Sequence, residues 1–141
     1  MEFVLVAPLY FLLVFAVMDF GRMFFVQMNL QQAVQEAARY ASTGNHMADP
    51  NNAGQNLSRI ASIVADVQQM AIGASVTNVQ ISSLGGGSGS AGGPGDMVTV
   101  SLTTNLKLMT PLVSAFFPNG TYTFTSSATC QNEPFSVANT N

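Results

Sequence analysis

FVLVAPLYFLLVFAVM, residues 3–18, carries no charge and one proline, Pro8. The run passes through Asp19-Phe20-Gly21-Arg22 into Met23-Phe24-Phe25-Val26 without turning polar. Alone it lies near the lower limit of about 17 residues for a bilayer span, and it clears that limit if the Asp19/Arg22 step is tolerated. The apolar side chains run all round the helix, so no face is left for water. Such a helix must be covered by lipid or by other protein.

Beyond Val26 the pattern becomes one-sided. Leu30, Ala33, Val34, Ala37, Ala38 and Ala41 recur at three- and four-residue spacing, with Gln, Asn, Glu36 and Arg39 on the other faces. One helix over residues 2–41 is expected, roughly 60 Å long, or about twice the thickness of a bilayer's hydrocarbon core. Its second half should pack one stripe against a globular head. Ser42-Thr43-Gly44-Asn45 stops it, with Gly44 as C-cap. Pro8 removes one helical hydrogen bond and is expected to kink or melt the helix locally.

Asp49-Pro50 reads as N-cap and first helical residue of a second helix ending at Gly73. Its apolar stripe is Leu57, Ile60, Ile63, Val64, Val67, Met70 and Ala71, leaving Ser58, Arg59, Ser62 and Asp66 largely outside. From Ser75 the period falls to two. Strands are expected around 76–81, over 97–106 and from 121 to about 130. A Gly/Ser-rich loop, 85–95, joins the first two as an exposed connector without regular structure. Residues 108–117, broken by Pro111, form a short helical turn or an apolar loop. Pro118-Asn119-Gly120 is a turn, and the tail from Glu133 is extended. The expected architecture is α+β: a long hydrophobic helix (1–42), then a head (43–141) with a second amphipathic helix and a small antiparallel sheet.

Composition narrows the function. Of 141 residues only 8% are charged, against roughly 25% in ordinary soluble domains. Arg22, Arg39, Arg59 and Lys107 are scattered, which argues against nucleic-acid binding. Cys130 is the single cysteine, so no intrachain disulfide exists; it reads as a small half-buried residue. His46 is the single histidine and lies in a Gly/Asn loop, read as solvent-exposed, so no metal site, cofactor site or catalytic triad can be assembled around it. The protein is not expected to be an enzyme. The methionines and aromatics of the first helix are packing residues. Asn56-Leu57-Ser58 and Asn119-Gly120-Thr121 fit the N-glycosylation pattern. Asn56 falls in the proposed second helix, so Asn119 is the better acceptor.

The block Glu2-Phe3, Pro8, Asp19-Phe20-Gly21-Arg22, continued by Ala37-Ala38-Arg39-Tyr40-Ala41, resembles the TadE-like pseudopilins of the tight-adherence system, relatives of type IV pilins. The strand ending Ser126-Ser127-Ala128-Thr129-Cys130 resembles the family more loosely. The acidic residue is second here, whereas in type IV pilins it is fifth after leader cleavage, and a short basic leader is expected upstream. The resemblance implies an inner-membrane precursor, trimmed by a prepilin peptidase and drawn by an assembly ATPase into a helical homopolymer at the cell surface. A minor pseudopilin held mainly in the membrane, and a single-span protein with a ligand-binding head, are the alternatives. On the filament reading, Phe3, Leu5, Leu9, Leu12, Phe15, Phe20 and Phe24 pack the filament core. Glu2 pairs with a neighbour's N-terminal amine to set register, or sits at the headgroup boundary. Asp19 and Arg22 pair within the helix or between subunits. Gly21 permits close helix approach.

Overall fold

The computed structural model describes residues 2–73 and 75–136, and all their side chains but those of Glu2, Leu5, Pro111 and Leu112. Helix α1 spans Glu2–Ser42 and continues through Pro8, which neither melts nor ends it. Helix α2 spans Arg59–Met70. Strands β1 (Val76–Ser83), β2 (Gly87–Ser88), β3 (Met97–Lys107) and β4 (Thr121–Gln131) form one antiparallel sheet in the order β2-β1-β3-β4. Between β3 and β4 lie a one-turn helix, α3 (Pro111–Ser114), and a 3-10 turn, Pro118–Gly120. This is the α+β architecture expected, with one short strand added.

The two helices cover one face of the sheet. Val26, Leu30, Val34, Ala37, Ala38 and Ala41 of α1 meet Ile63 and Val67 of α2 and Val98, Val100, Leu102 and Leu106 of β3, all buried. The alternation in β3 is the cause: even residues are buried and odd ones face out. The outer face is polar, with Thr99 and Thr103 hydroxyls bonded to those of Thr129 and Thr125 at 2.8 and 3.0 Å. Cys130 is half-buried on the inner side of β4.

Three sequence expectations are corrected. The second helix starts at Arg59, with the Ser58 hydroxyl accepting from the Ala61 N–H at 3.3 Å. Asp49-Pro50 opens a turn instead: the Asp49 carboxylate accepts from the Asn51 N–H at 2.8 Å and the Asn52 side chain at 2.7 Å. An Asx-turn and a helix N-cap use the same residues, and here no apolar stripe follows within a turn to favour the helix. Asn56 therefore lies outside any helix, bridged to Ala48. His46 is half-buried, its Nδ1–H donating to the Leu57 carbonyl at 2.9 Å.

The second correction concerns the face of α2. Arg59, Ser62, Ile63, Asp66 and Val67 are the buried positions, a stripe at i, i+3, i+4, i+7 and i+8. Ile60 and Met70, assigned to the core from their side chains, are exposed. Arg59 is only 1% exposed. Its guanidinium donates to the Gly92 carbonyl at 2.6 Å, the Ala41 carbonyl at 2.7 Å and Asn132 Oδ1 at 3.0 Å, and it lies 4.6 Å from the centre of the Phe135 ring. One side chain thus joins the end of α1, the glycine-rich loop and the segment after β4. Burial lowers its pKa, though a guanidinium stays charged in any protein.

The third correction is the loop itself. It folds back as β2 against the end of β1. Asp96 accepts from the Gly85 N–H at 3.0 Å, and Asn132 Nδ2 donates to the Ala91 and Gly93 carbonyls at 2.9 and 2.8 Å. Gly92 has φ +70°, and a Cβ there would run into Asp96 and Ser83, so glycine is required on both counts. The same double constraint holds at Gly44, at φ +67°, where a Cβ would lie 2.7 Å from the Phe135 ring.

Replacing Arg59 with Met keeps volume but removes the guanidinium donor from the Gly92 and Ala41 carbonyls and from Asn132 Oδ1, leaving the Ala41 carbonyl only the long bond from the Gly44 N–H. A stability loss of at least about 3 kcal/mol is expected in chemical unfolding of the micelle-bound protein followed by circular dichroism. A loss below about 0.5 kcal/mol, the scale of an inert surface change, would show that Arg59 is not the joint. Asp66 gives a pH test. Its carboxyl is buried beside Glu36, and burial, then the Glu36 charge, raise its pKa above the usual 3.8. The folded state therefore holds the proton more tightly than the unfolded chain, so ionisation costs stability. The cost is absent below about pH 3.8 and complete above the folded-state pKa. Asp66→Asn should stabilise the protein at pH 7, by an amount that shrinks as the pH falls towards 3.8. A gain independent of pH would contradict this.

Candidate assembly surface

The docked half of α1 is held by the stripe from Val26 to Ala41; its first half has no such partner. Phe3, Leu9, Phe15, Phe20 and Phe24 are between 50% and 82% exposed, and Leu12 is half-buried. Leu5 and Glu2 have side chains outside the described residues. Val4, Val6, Tyr10, Phe11, Leu13, Val17 and Met18 are exposed as well, on every side of the helix. At about 1.5 kcal/mol each, covering a dozen such side chains yields on the order of 20 kcal/mol. That exceeds the ~5–15 kcal/mol that keeps a typical domain folded, so this surface dominates the chain's choice of surroundings.

The free segment ends at Asp19, which is 5% exposed. Its carboxylate accepts from the Met109 N–H at 3.2 Å and the Thr110 N–H at 2.7 Å, just before α3. Arg22 is exposed and donates to the Lys107 carbonyl at 3.4 Å. Asp19 and Arg22 thus both turn to the lower rim of their own head, and the carboxylate's hydrogen bonds come from backbone N–H groups. Phe20 and Met23 close the joint against Leu108, Val113 and Phe117, leaving a void of only about 10 Å³. A Cβ on Gly21 would meet nothing within 4 Å. Asn119 is exposed at φ 55° in its turn.

The Arg59 and Asp19 joints were not apparent as such in the sequence. The i, i+4, i+8 register with Ile63 and Val67 does point Arg59 inward, but its charge argued the other way. Nothing local marks Met109 and Thr110 as Asp19's partners, which lie 90 and 91 residues away. Among the described residues no group of His, Cys, Asp and Glu could hold a metal ion.

The N-terminal helix is long and apolar enough to cross a membrane. A core helix of a soluble protein would pass the same length test but would be buried, and this one is not. Residues 1–39 match the family model of TadE-like proteins. The match runs from the free segment through most of the docked stripe and stops before the head. Together with the exposed apolar helix it fits a pseudopilin associated with a Tad pilus. No curated protein and no solved structure matches the chain.

Replacing Asp19 with Ala strands the buried Thr110 N–H, at a cost of about 1–3 kcal/mol. Hydrogen exchange at the Met109 and Thr110 amides should accelerate roughly 10-fold or more, while amides of β3 and β4 keep their protection. Unchanged exchange at Thr110 would show that the carboxylate does not hold the rim.

Proposed function

We propose that the chain is a structural subunit of a Tad-type filament. On this reading residues 1–42 are the membrane and assembly element and residues 43–141 the displayed head. The observation that carries it is the free segment, 3–18, apolar on all sides and uncovered by its own head. Lipid covers that surface in the precursor; sister helices cover it in the filament. Interdigitated Phe, Leu and Val side chains then replace acyl chains contact for contact, so transfer never exposes the helix to water. Phe3, Leu5, Leu9, Leu12, Phe15, Phe20 and Phe24 pack that core. Glu2 fixes axial register against a neighbour's amine. Arg22, exposed and held by one long hydrogen bond, can turn to a neighbour's carboxylate. A prepilin peptidase and an assembly ATPase act on the precursor, and the finished polymer stands at the cell surface. Asn119, exposed in its turn, is the acceptor if the head is glycosylated.

The double variant Leu9→Asp/Leu13→Asp tests this reading in cells carrying the assembly machinery. Immunogold electron microscopy of sheared surface material should show wild-type label along entire filaments and none with the variant. Label confined to filament tips assigns the chain as a minor pseudopilin. Filaments persisting with the variant would remove the assembly role from the helix.

A further inference from the structure

The free apolar segment is too short for a membrane by itself. Residues 3–18 rise about 24 Å as a helix, against a hydrocarbon core of roughly 30 Å. Filling that thickness from Phe3 takes the apolar zone to about Met23, one helical turn beyond Asp19. The level of Asp19 then lies about 6 Å inside the hydrocarbon boundary. The head is fastened at that level, through the Met109 and Thr110 N–H groups. The groove the head presents there is lined mainly by apolar side chains, with the exposed Arg22 and Lys107 beside it at the boundary. Met109 is 78% exposed, and with Phe15 and Met18 of α1 it lines a groove of about 310 Å³. Further along the same connection Phe116 is 81% exposed.

We infer that the 108–117 connection is a membrane-dipping foot. In the precursor, Met109 enters the acyl region beside Phe15 and Met18, and Phe116 lies at the headgroup boundary. The foot also explains how a carboxylate tolerates this depth: the same loop that enters the lipid supplies the two N–H groups that cover Asp19. The occupant of the groove is a lipid acyl chain, because the groove is continuous with the apolar helix at membrane depth. This inference rests on α1 being the membrane anchor.

The chain contains no tryptophan, so single-tryptophan reporters read one site each. Met109→Trp and Phe116→Trp are made in the full chain and reconstituted into phosphatidylcholine vesicles, with and without lipids brominated along the acyl chain. Leu9→Trp serves as the anchor control and Thr125→Trp, on the outer sheet face, as the water control. Tryptophan at 109 should emit blue-shifted light and lose intensity with brominated lipid, that at 116 less so, and that at 125 not at all. Quenching at 9 with water-like emission at 109 and 116 overturns the foot and leaves the anchor standing. Water-like emission at 9 as well removes the anchor itself. Blue-shifted emission at 109 without quenching means that protein, not lipid, fills the groove, and also overturns the inference. Circular dichroism matching the wild type confirms that each reporter is folded.

Discussion

One uninterrupted helix has to satisfy two surroundings. From Phe3 to Met18 its residues are apolar on every side, and among the described side chains most are exposed, with only Met109 of the head beside Phe15 and Met18. From Val26 onward the apolar residues gather mainly on one stripe, which the head covers, with Met28 the exposed exception. The backbone hydrogen bonding continues across the boundary, so helix and head are linked as one stiff element. Whatever covers the free half therefore positions the head, and the head cannot be moved without moving the helix.

The boundary needs special chemistry because it carries two charges in an apolar zone. Asp19 is covered by N–H groups that a regular strand would have used in a ladder; they are free because β3 ends at Lys107 and the chain turns into α3. At the opposite end of the docked stripe Arg59 has the matching task. It takes the terminal carbonyl of α1, a loop carbonyl and a side-chain amide, all neutral acceptors, and so gathers three separate segments. The terminal nitrogens of Arg59 and the carboxylate of Asp19 are bonded, while Arg59 Nε is buried without a partner, and these two side chains hold the ends of the helix–head contact.

The fold was largely legible because its signals are periodic. The switch at Val26 from all-round to one-sided, and the two-residue alternation of 97–106 and 121–130, determine the long helix and the sheet. Gly44 was legible as a cap because its neighbours are ordinary stop residues. What stayed hidden depends on partners distant in sequence. Arg59 and Asp66 look like surface residues until Asn132, Gly92 and Glu36 are placed around them. The glycine-rich loop looks unstructured because its order comes from Asp96, Asn132 and Arg59 rather than from its own composition. Asp49-Pro50 misled for a different reason, since one local hydrogen-bonding pattern serves both turns and helix starts. Of the candidate surface, the apolar side chains of the free segment could be named from composition alone, whereas the tether at Asp19 could not.

The central claim is that the described side chains of residues 3–18 are left largely uncovered by their own chain. Spin labels placed singly along α1 in lipid vesicles, read by collision with oxygen and with a water-soluble nickel complex, test it directly. Labels from Val6 to Met18 should collide with oxygen on every side of the helix, with no helical periodicity. From Val26 onward a periodicity of about 3.6 residues should appear, with Leu30, Val34 and Ala37 reached by neither agent. A helical periodicity already present between Val6 and Met18 would mean that the free segment packs on its own protein, contrary to this account.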